Sequence, residues 1–101
     1  MANGPLTRVA QAAATPGWSL SVLDGPAAVM ATRDSGRIGE PWVVMTTGSG
    51  TRLRVFFYEP GDDLGAPGEE LAEMSGNPRE LGRQLRSLLE DLTAGRAAEP
   101  S

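Results

Sequence analysis

Two arginines and two aromatic residues alternate along the segment Thr51–Tyr58: Arg52, Arg54, Phe56 and Tyr58. Successive side chains of a β-strand point to opposite faces, so these four would share one face of a predicted strand. Guanidinium groups and aromatic rings are typical anchors of protein interfaces. They also suit unpaired nucleotides, whose bases stack on rings while arginine contacts phosphate. We predict a partner-binding surface here; a solvated sheet face, or one covered by the N-terminal helix, stays open.

Two tryptophans stand at the starts of predicted strands. Large aromatic residues at such places favour the edge of a core or a lid over it. If either lay exposed beside Arg54, the binding interpretation would gain, and Trp42 is therefore included in the predicted partner-binding set. Trp18 is left with the core interpretation.

The residue types exclude much of enzyme chemistry. The chain has no Cys and no His, and all nine basic residues are Arg. Thiol nucleophiles, Ser-His-Asp triads, Schiff bases, Cys/His zinc sites and the P-loop lysine are thereby removed. The acids of the 59–70 region could coordinate a hard cation, but they lack the spacing of a calcium loop, and a solvated acidic loop is the favoured interpretation. We therefore expect a protein that is not an enzyme and has no cofactor and no metal.

Charge is unevenly distributed along the 101 residues, whose formal net charge is −4. Residues 1–58 carry five arginines and three acids, whereas residues 59–101 carry four arginines and ten acids. A dominant basic field, which general adhesion to duplex DNA or to an anionic membrane requires, is absent. No stretch approaches the about 20 apolar residues of a transmembrane helix, and no signal peptide is visible. We expect a cytoplasmic protein with no membrane partner, for which nucleic acid is disfavoured by net charge.

The apolar pattern predicts one domain. Four segments have the composition or alternation of strands, and short turn signals at Asp24-Gly25-Pro26 and Gly48-Ser49-Gly50 make neighbours antiparallel. The predicted strands are Trp18–Leu23, Ala27–Thr32, Trp42–Thr47 and Thr51–Tyr58. The predicted architecture is α+β: a four-stranded antiparallel meander sheet, a short N-terminal helix from Pro5, and an amphipathic C-terminal helix packed across one face.

The ends of this domain follow from the same signals. Residues 1–4 are expected to form a disordered N-terminus, 5–95 the single α+β domain, and 96–101 a disordered C-terminal tail. The N-terminal helix is expected to pack at a sheet edge or on the second face. The region 59–68 is expected to be an exposed loop, and Glu69–Met74 to form one or two helical turns.

The C-terminal helix carries the clearest local signals. Asn77 is a good N-cap, Pro78 suits the first helical position, and Glu80 completes the spacing of a capping box. Five leucines between 81 and 92 form a single stripe. Gly82 borders this stripe, so it could allow close approach to the sheet. On the opposite side, Arg79, Arg83 and Arg86 could contact an acidic partner; the simpler interpretation is a solvent face with pairing to Glu80 and Glu90.

The order of predicted elements resembles two groups of proteins in outline. Residues 18–95 are similar to the β-β-β-β-α units of PUR-repeat and Whirly-type single-strand binders, although those carry more lysine and a basic balance. Secretion-chaperone-like domains also pair a curved sheet with flanking helices and often dimerise. Neither resemblance rests on a diagnostic motif, so no site residues are transferred.

The expected function is a small non-catalytic protein-binding or accessory protein, regulatory or chaperone-like, which could be homodimeric through the open sheet face. The alternative is a single-stranded nucleic-acid-binding or transcription-associated protein that uses the same face.

Overall fold

The computed structural model describes residues 4–24, 27–48 and 51–97. Two helices and five strands follow one another along the chain. They are α1 (Pro5–Ala12), β1 (Ser19–Asp24), β2 (Ala27–Arg33), β3 (Trp42–Gly48), β4 (Arg52–Tyr58), β5 (Glu69–Ser75) and α2 (Pro78–Ala94). The α+β class, α2 and the first four strands agree with the sequence patterns. The predicted turn tips at 25–26 and 49–50, the predicted loose end at 1–3 and the tail at 98–101 lie outside the described residues.

The sheet is an antiparallel meander in the order β1-β2-β3-β4-β5. The prediction of four strands is therefore wrong, because Glu69–Ser75 pairs with β4 instead of forming helical turns. Val55 pairs with Ala72 while Phe56 pairs with Glu70, which leaves Leu71 as an extra residue in β5. This β-bulge interrupts the strand alternation, and the interruption is what made the spacing of Leu71 and Met74 look helical.

Both helices lie on the same face of the sheet. Val9 of α1 and Leu85 of α2 belong to one buried cluster with Val29, Leu53 and Phe57 of the sheet. Of the two expected positions for α1, the second face is therefore wrong, whereas α1 does contact β1 and β2 at one edge of the sheet. A helix of only 8 residues is marginal alone, and α1 is stabilised by packing against α2, β1 and β2.

The start of α2 is fixed by the predicted cap. The side-chain oxygen of Asn77 accepts a hydrogen bond from the Glu80 backbone N–H at 2.9 Å, and the Asn77 amide donates to the Glu80 carboxylate at 3.0 Å. The leucine stripe then faces the sheet; Leu81, Leu85 and Leu89 are fully buried. Burial of each such side chain contributes about 1.5–3 kcal/mol.

Gly82 permits close approach of the two helices rather than of helix and sheet. A Cβ at this position would overlap the Cβ of Ala12 and would lie 2.9 Å from the Val9 carbonyl oxygen. The absence of a side chain is therefore what lets α1 and α2 form a single layer.

The segment after α2 closes one end of this layer. Arg96 lies over the Phe57 ring, 4.6 Å from its centroid, and pairs with both carboxylate oxygens of Glu69. Ala97 is buried, and its carbonyl oxygen accepts a hydrogen bond of 2.9 Å from Nε of Arg33. The sequence predicted a disordered tail at 96–101. In the structure, Arg96 and Ala97 instead pack against the accessible end of the core.

We predict that Gly82→Ala lowers the free energy of unfolding by about 1–2 kcal/mol. Overpacking against α1 costs about 1–3 kcal/mol, which exceeds the gain of at most about 1 kcal/mol from the higher helix propensity of alanine. Urea denaturation measures the change, with Ser87→Ala on the exposed side of α2 as a control of small effect. Addition of Ala12→Gly should restore part of the loss; an undiminished stability of Gly82→Ala would contradict the contact.

Candidate functional site

The sheet face opposite the helices, called the open face here, carries an apolar row across its middle. Strand register aligns one residue from each strand, and adjacent members are direct partners. This central row consists of Ser21, Met30, Met45, Phe56 and Glu70. Met30, Met45 and Phe56 are each half-buried, so part of every one of these apolar side chains remains exposed to solvent.

The predicted alternation along β4 is present in the structure. Leu53, Val55 and Phe57 point into the core, at no more than 2% exposure. Arg52 and Arg54 point to the open face and are exposed, and Phe56 is half-buried between its neighbours. The open face therefore presents the guanidinium groups next to the central row.

Carboxylates from β5 form ion pairs with both Arg52 and Arg54. Arg54 donates from Nη2 and Nε to the two oxygens of Glu70, at 2.7 and 3.2 Å. Its guanidinium carbon also lies 5.3 Å from the centroid of the Phe56 ring. Nε of Arg52 lies 3.9 Å from a carboxylate oxygen of Glu73. The open face of β4 and β5 consequently carries two positive and two negative side chains in balance.

The bulge explains why both glutamates reach the open face. Residues three apart in a regular strand point to opposite faces, which would send Glu70 and Glu73 to different sides. The extra residue Leu71 shifts the alternation by one, so Glu70 lies beside Phe56 and Glu73 beside Arg54. The charge balance of the site therefore depends on this irregularity.

Hydrogen bonding to arginine changes the acid–base behaviour of the β5 carboxylates. The hydrogen bonds from Arg54 hold the pKa of Glu70 below its ordinary value of 4.5. Arg96 lowers the pKa of Glu69 in the same way. In both cases the partner favours the ionised form, so each pair contributes to stability above the ordinary pKa, and this contribution is lost as the pH falls through the lowered pKa.

Tyr58 does not belong to the free surface that the sequence predicted. It lies on the open-face side of β4 but is only 8% exposed. The loop before β5 covers its ring. Gly68 of this loop approaches so closely that a Cβ on it would lie 2.8 Å from Tyr58 Cζ. Beside it, Val43 lines a cleft of about 300 Å³ between the β2–β3 and β4–β5 loops. Side-chain alternation identified the face, but only the fold of the loops determines what remains accessible.

Trp42 lies on the opposite face from Arg54. Its ring stacks on Phe57, with 5.6 Å between the centroids, and it packs against the core. The structure therefore does not bring Trp42 together with the arginines. Val44 is the partner of Phe57, and this pairing places the even-numbered residues of β3 on the helix side. Trp18 is a core residue, and its indole donates to the Thr93 hydroxyl at 2.9 Å.

Met30 and Met45 are the contributors that sequence reasoning missed. Their own strands were predicted, but nothing local shows that the two methionines stand opposite each other and beside Phe56. Strand register supplies this information, since Met30 pairs with Met45 and Met45 pairs with Phe56. The sequence did contain a usable signal. Strand alternation counted back from Phe56, through the β3–β4 hairpin and then the β2–β3 connection, places Met45 and Met30 on the same face.

The acidic loop uses its carboxylates to cap its own turns. Asp62 accepts a hydrogen bond of 2.8 Å from the Glu59 backbone N–H, and Asp63 accepts one of 2.9 Å from that of Gly65. Over the residues that the structure describes, no three acidic side chains are grouped so as to hold a metal ion. The loop between β4 and β5 is thus held by hydrogen bonds between its own residues.

Comparisons with protein-family models, with curated proteins and with solved structures found no match to this chain. Neither helix within the described ranges has the length and apolar character needed to cross a membrane.

We predict that Arg54→Gln raises the pKa of Glu70 toward 4.5, because it removes the hydrogen bonds that favour the carboxylate. Titration of the side-chain carboxyl carbon by NMR measures this change. Arg52→Gln is the matched control, since Arg52 pairs with Glu73, and it should leave the Glu70 pKa nearly unchanged. An ordinary pKa for Glu70 in the unmodified chain would show that Arg54 is not occupied in solution.

Proposed function

We propose that this chain is a small non-catalytic accessory protein of the cytoplasm that acts by protein binding through its open sheet face, with a second copy of itself as the partner. The observation that carries the proposal is the central row. The helices shield only one face of the sheet, while Met30, Met45 and Phe56 leave apolar surface on the other. Pairing of two such faces would remove this surface from water.

The charge pattern favours self-association. A two-fold interface brings the same patch of both subunits together, so it must complement itself. The open face offers an apolar row flanked by two arginines and two glutamates that already pair with each other within the chain. A second copy can therefore cover the apolar row without burying a net charge, and without breaking these pairs.

The extent of the face is also of the right order. Five strands about 4.8 Å apart and about 20 Å long give a surface about 24 Å wide. Its projected area is about 480 Å². The loop over Tyr58 covers part of this area, whereas side-chain relief adds to it. A standard interface takes about 800 Å² from each partner, so a dimer through this face would be at the small end of stable complexes.

Single-stranded nucleic acid is the alternative occupant of the same face. The bidentate pairing of Arg54 with Glu70 speaks against it, because a phosphate would have to displace a carboxylate that is already in place. Salt-sensitive binding of an oligonucleotide that weakens with Arg54→Ala would favour this alternative.

We predict that Met45→Glu abolishes self-association. The unmodified chain should shift from monomer to dimer with rising concentration in sedimentation equilibrium. The variant should remain monomeric, because an unpaired carboxylate in the centre of an apolar interface costs several kcal/mol. Thermal unfolding checks that the variant is folded.

Ser87→Glu is the control for this experiment, because it adds the same charge on the exposed side of α2. It should dimerise like the unmodified chain. A monomer at every concentration would overturn self-association. The open face would then have to bind a different protein. That binding should be lost with Met45→Glu and retained with Ser87→Glu.

A further inference from the structure

Three of the nine arginines make no contact with a partner group among the described residues, and all three lie on the helix layer. Within the described residues, Arg8 of α1 and Arg79 and Arg83 of α2 are exposed and make no hydrogen bond or ion pair. Each of the other arginines is bonded or paired: Arg33, Arg37, Arg52, Arg54, Arg86 and Arg96. Although the net charge of the chain is negative, the helix layer therefore carries a group of arginines without neutralising partners among the described residues.

These positions are unfavourable for the helix that carries two of them. Arg79 is the second residue of α2, where the helix dipole disfavours a cation. Arg83 follows at i+4, and like charges at this spacing repel each other. The expected pairing to Glu80 is not formed, because Glu80 bonds to Asn77, while Arg86 does pair with Glu90 at 3.3 Å. Fold stability therefore does not account for Arg79 and Arg83.

The two helices bring Arg8 and Arg79 to the same cleft. Ala12 of α1 contacts Gly82 of α2. Arg8 lies one turn before the first of these residues and Arg79 one turn before the second. A cleft of about 610 Å³ opens between them, lined also by Gln11 and Asn77. Two unpaired guanidinium groups from different elements therefore converge, and Arg83 extends the positive surface along α2.

We propose that this cleft binds a glutamate- or aspartate-rich segment of a partner protein. Guanidinium groups bind carboxylates through paired, charge-assisted hydrogen bonds, and charge complementarity selects an acidic partner. Nucleic acid is the less suitable polyanion, because the chain carries net charge −4 and the patch is short. The cleft lies on the layer opposite the open face, so it is a second interaction surface, independent of the proposed dimer.

Fluorescence anisotropy with a labelled peptide of alternating glutamate and alanine tests the proposal. The unmodified chain should bind it at low ionic strength and more weakly as salt is added. The triple variant Arg8→Gln, Arg79→Gln, Arg83→Gln should bind about tenfold more weakly or worse.

A matched variant, Arg37→Glu with Ile38→Glu, lowers the net charge by the same amount in the exposed β2–β3 loop, away from both surfaces, and should stay within about twofold of the unmodified chain. Equal losses in both variants, or no binding by the unmodified chain, would overturn the site. Tighter binding of a single-stranded oligonucleotide, lost in the first variant, would overturn the choice of a protein partner.

Stability provides a readout that does not depend on the peptide. Since Arg79 opposes the helix dipole and repels Arg83, the first triple variant should melt at or above the temperature of the unmodified chain. A lower melting temperature would show that these arginines are structural, and would contradict the proposal. Neither result depends on Met45, so failure of this site and failure of the open face can be told apart.

Discussion

Alternation of side chains along β4, combined with helices that pack on only one side of the sheet, is the constraint on which the other features depend. Leu53, Val55 and Phe57 are buried against the helix layer, so Arg52, Arg54 and Phe56 must point away from it. A one-residue shift of this strand would exchange the two sets and put guanidinium groups in the core. Burial of one face thus determines what the other face can offer to a partner.

The helix layer consists of one short and one long helix. It therefore needs close contact between the two helices, and polar groups that cover the ends of the core. Gly82 provides the contact, because α1 passes where a side chain would stand. The polar groups bond to backbone or to each other: Arg33 to the Ala97 carbonyl, and Arg96 to Glu69. Arginine suits these positions, since its flat guanidinium can lie on an aromatic ring while its N–H groups reach acceptors at the rim.

Local signals were sufficient where the structure depends on neighbours in sequence. The cap at Asn77, the leucine stripe of α2 and the alternation in β4 could all be predicted for that reason. β5 could not, because it is defined by pairing to β4 across a bulge, and Leu71 and Met74 have helical spacing. The position of α1, the turn of Trp42 toward Phe57 and the cover over Tyr58 also arise from contacts between distant segments.

The same limit applies to the site. The arginines and Phe56 could be placed on one face from the sequence, but their glutamate partners and the two methionines come from other strands. The structure places Trp42 on the opposite face and buries Tyr58, and it brings Met30 and Met45 beside Phe56. The open face thus has an apolar row within balanced charges, and the other side of the molecule has a basic cleft whose arginines are unpaired within the described part of the chain.

Oxidation of individual methionines by dilute peroxide, followed by peptide mass spectrometry, measures most directly whether the open face is uncovered. Met74 points into the core and is 6% exposed, which makes it an internal reference. Met30 and Met45 should react several times faster than Met74 in dilute protein, and should become slower as the concentration rises while Met74 does not change. Rates for Met30 and Met45 as slow as that of Met74 in dilute protein would contradict the account.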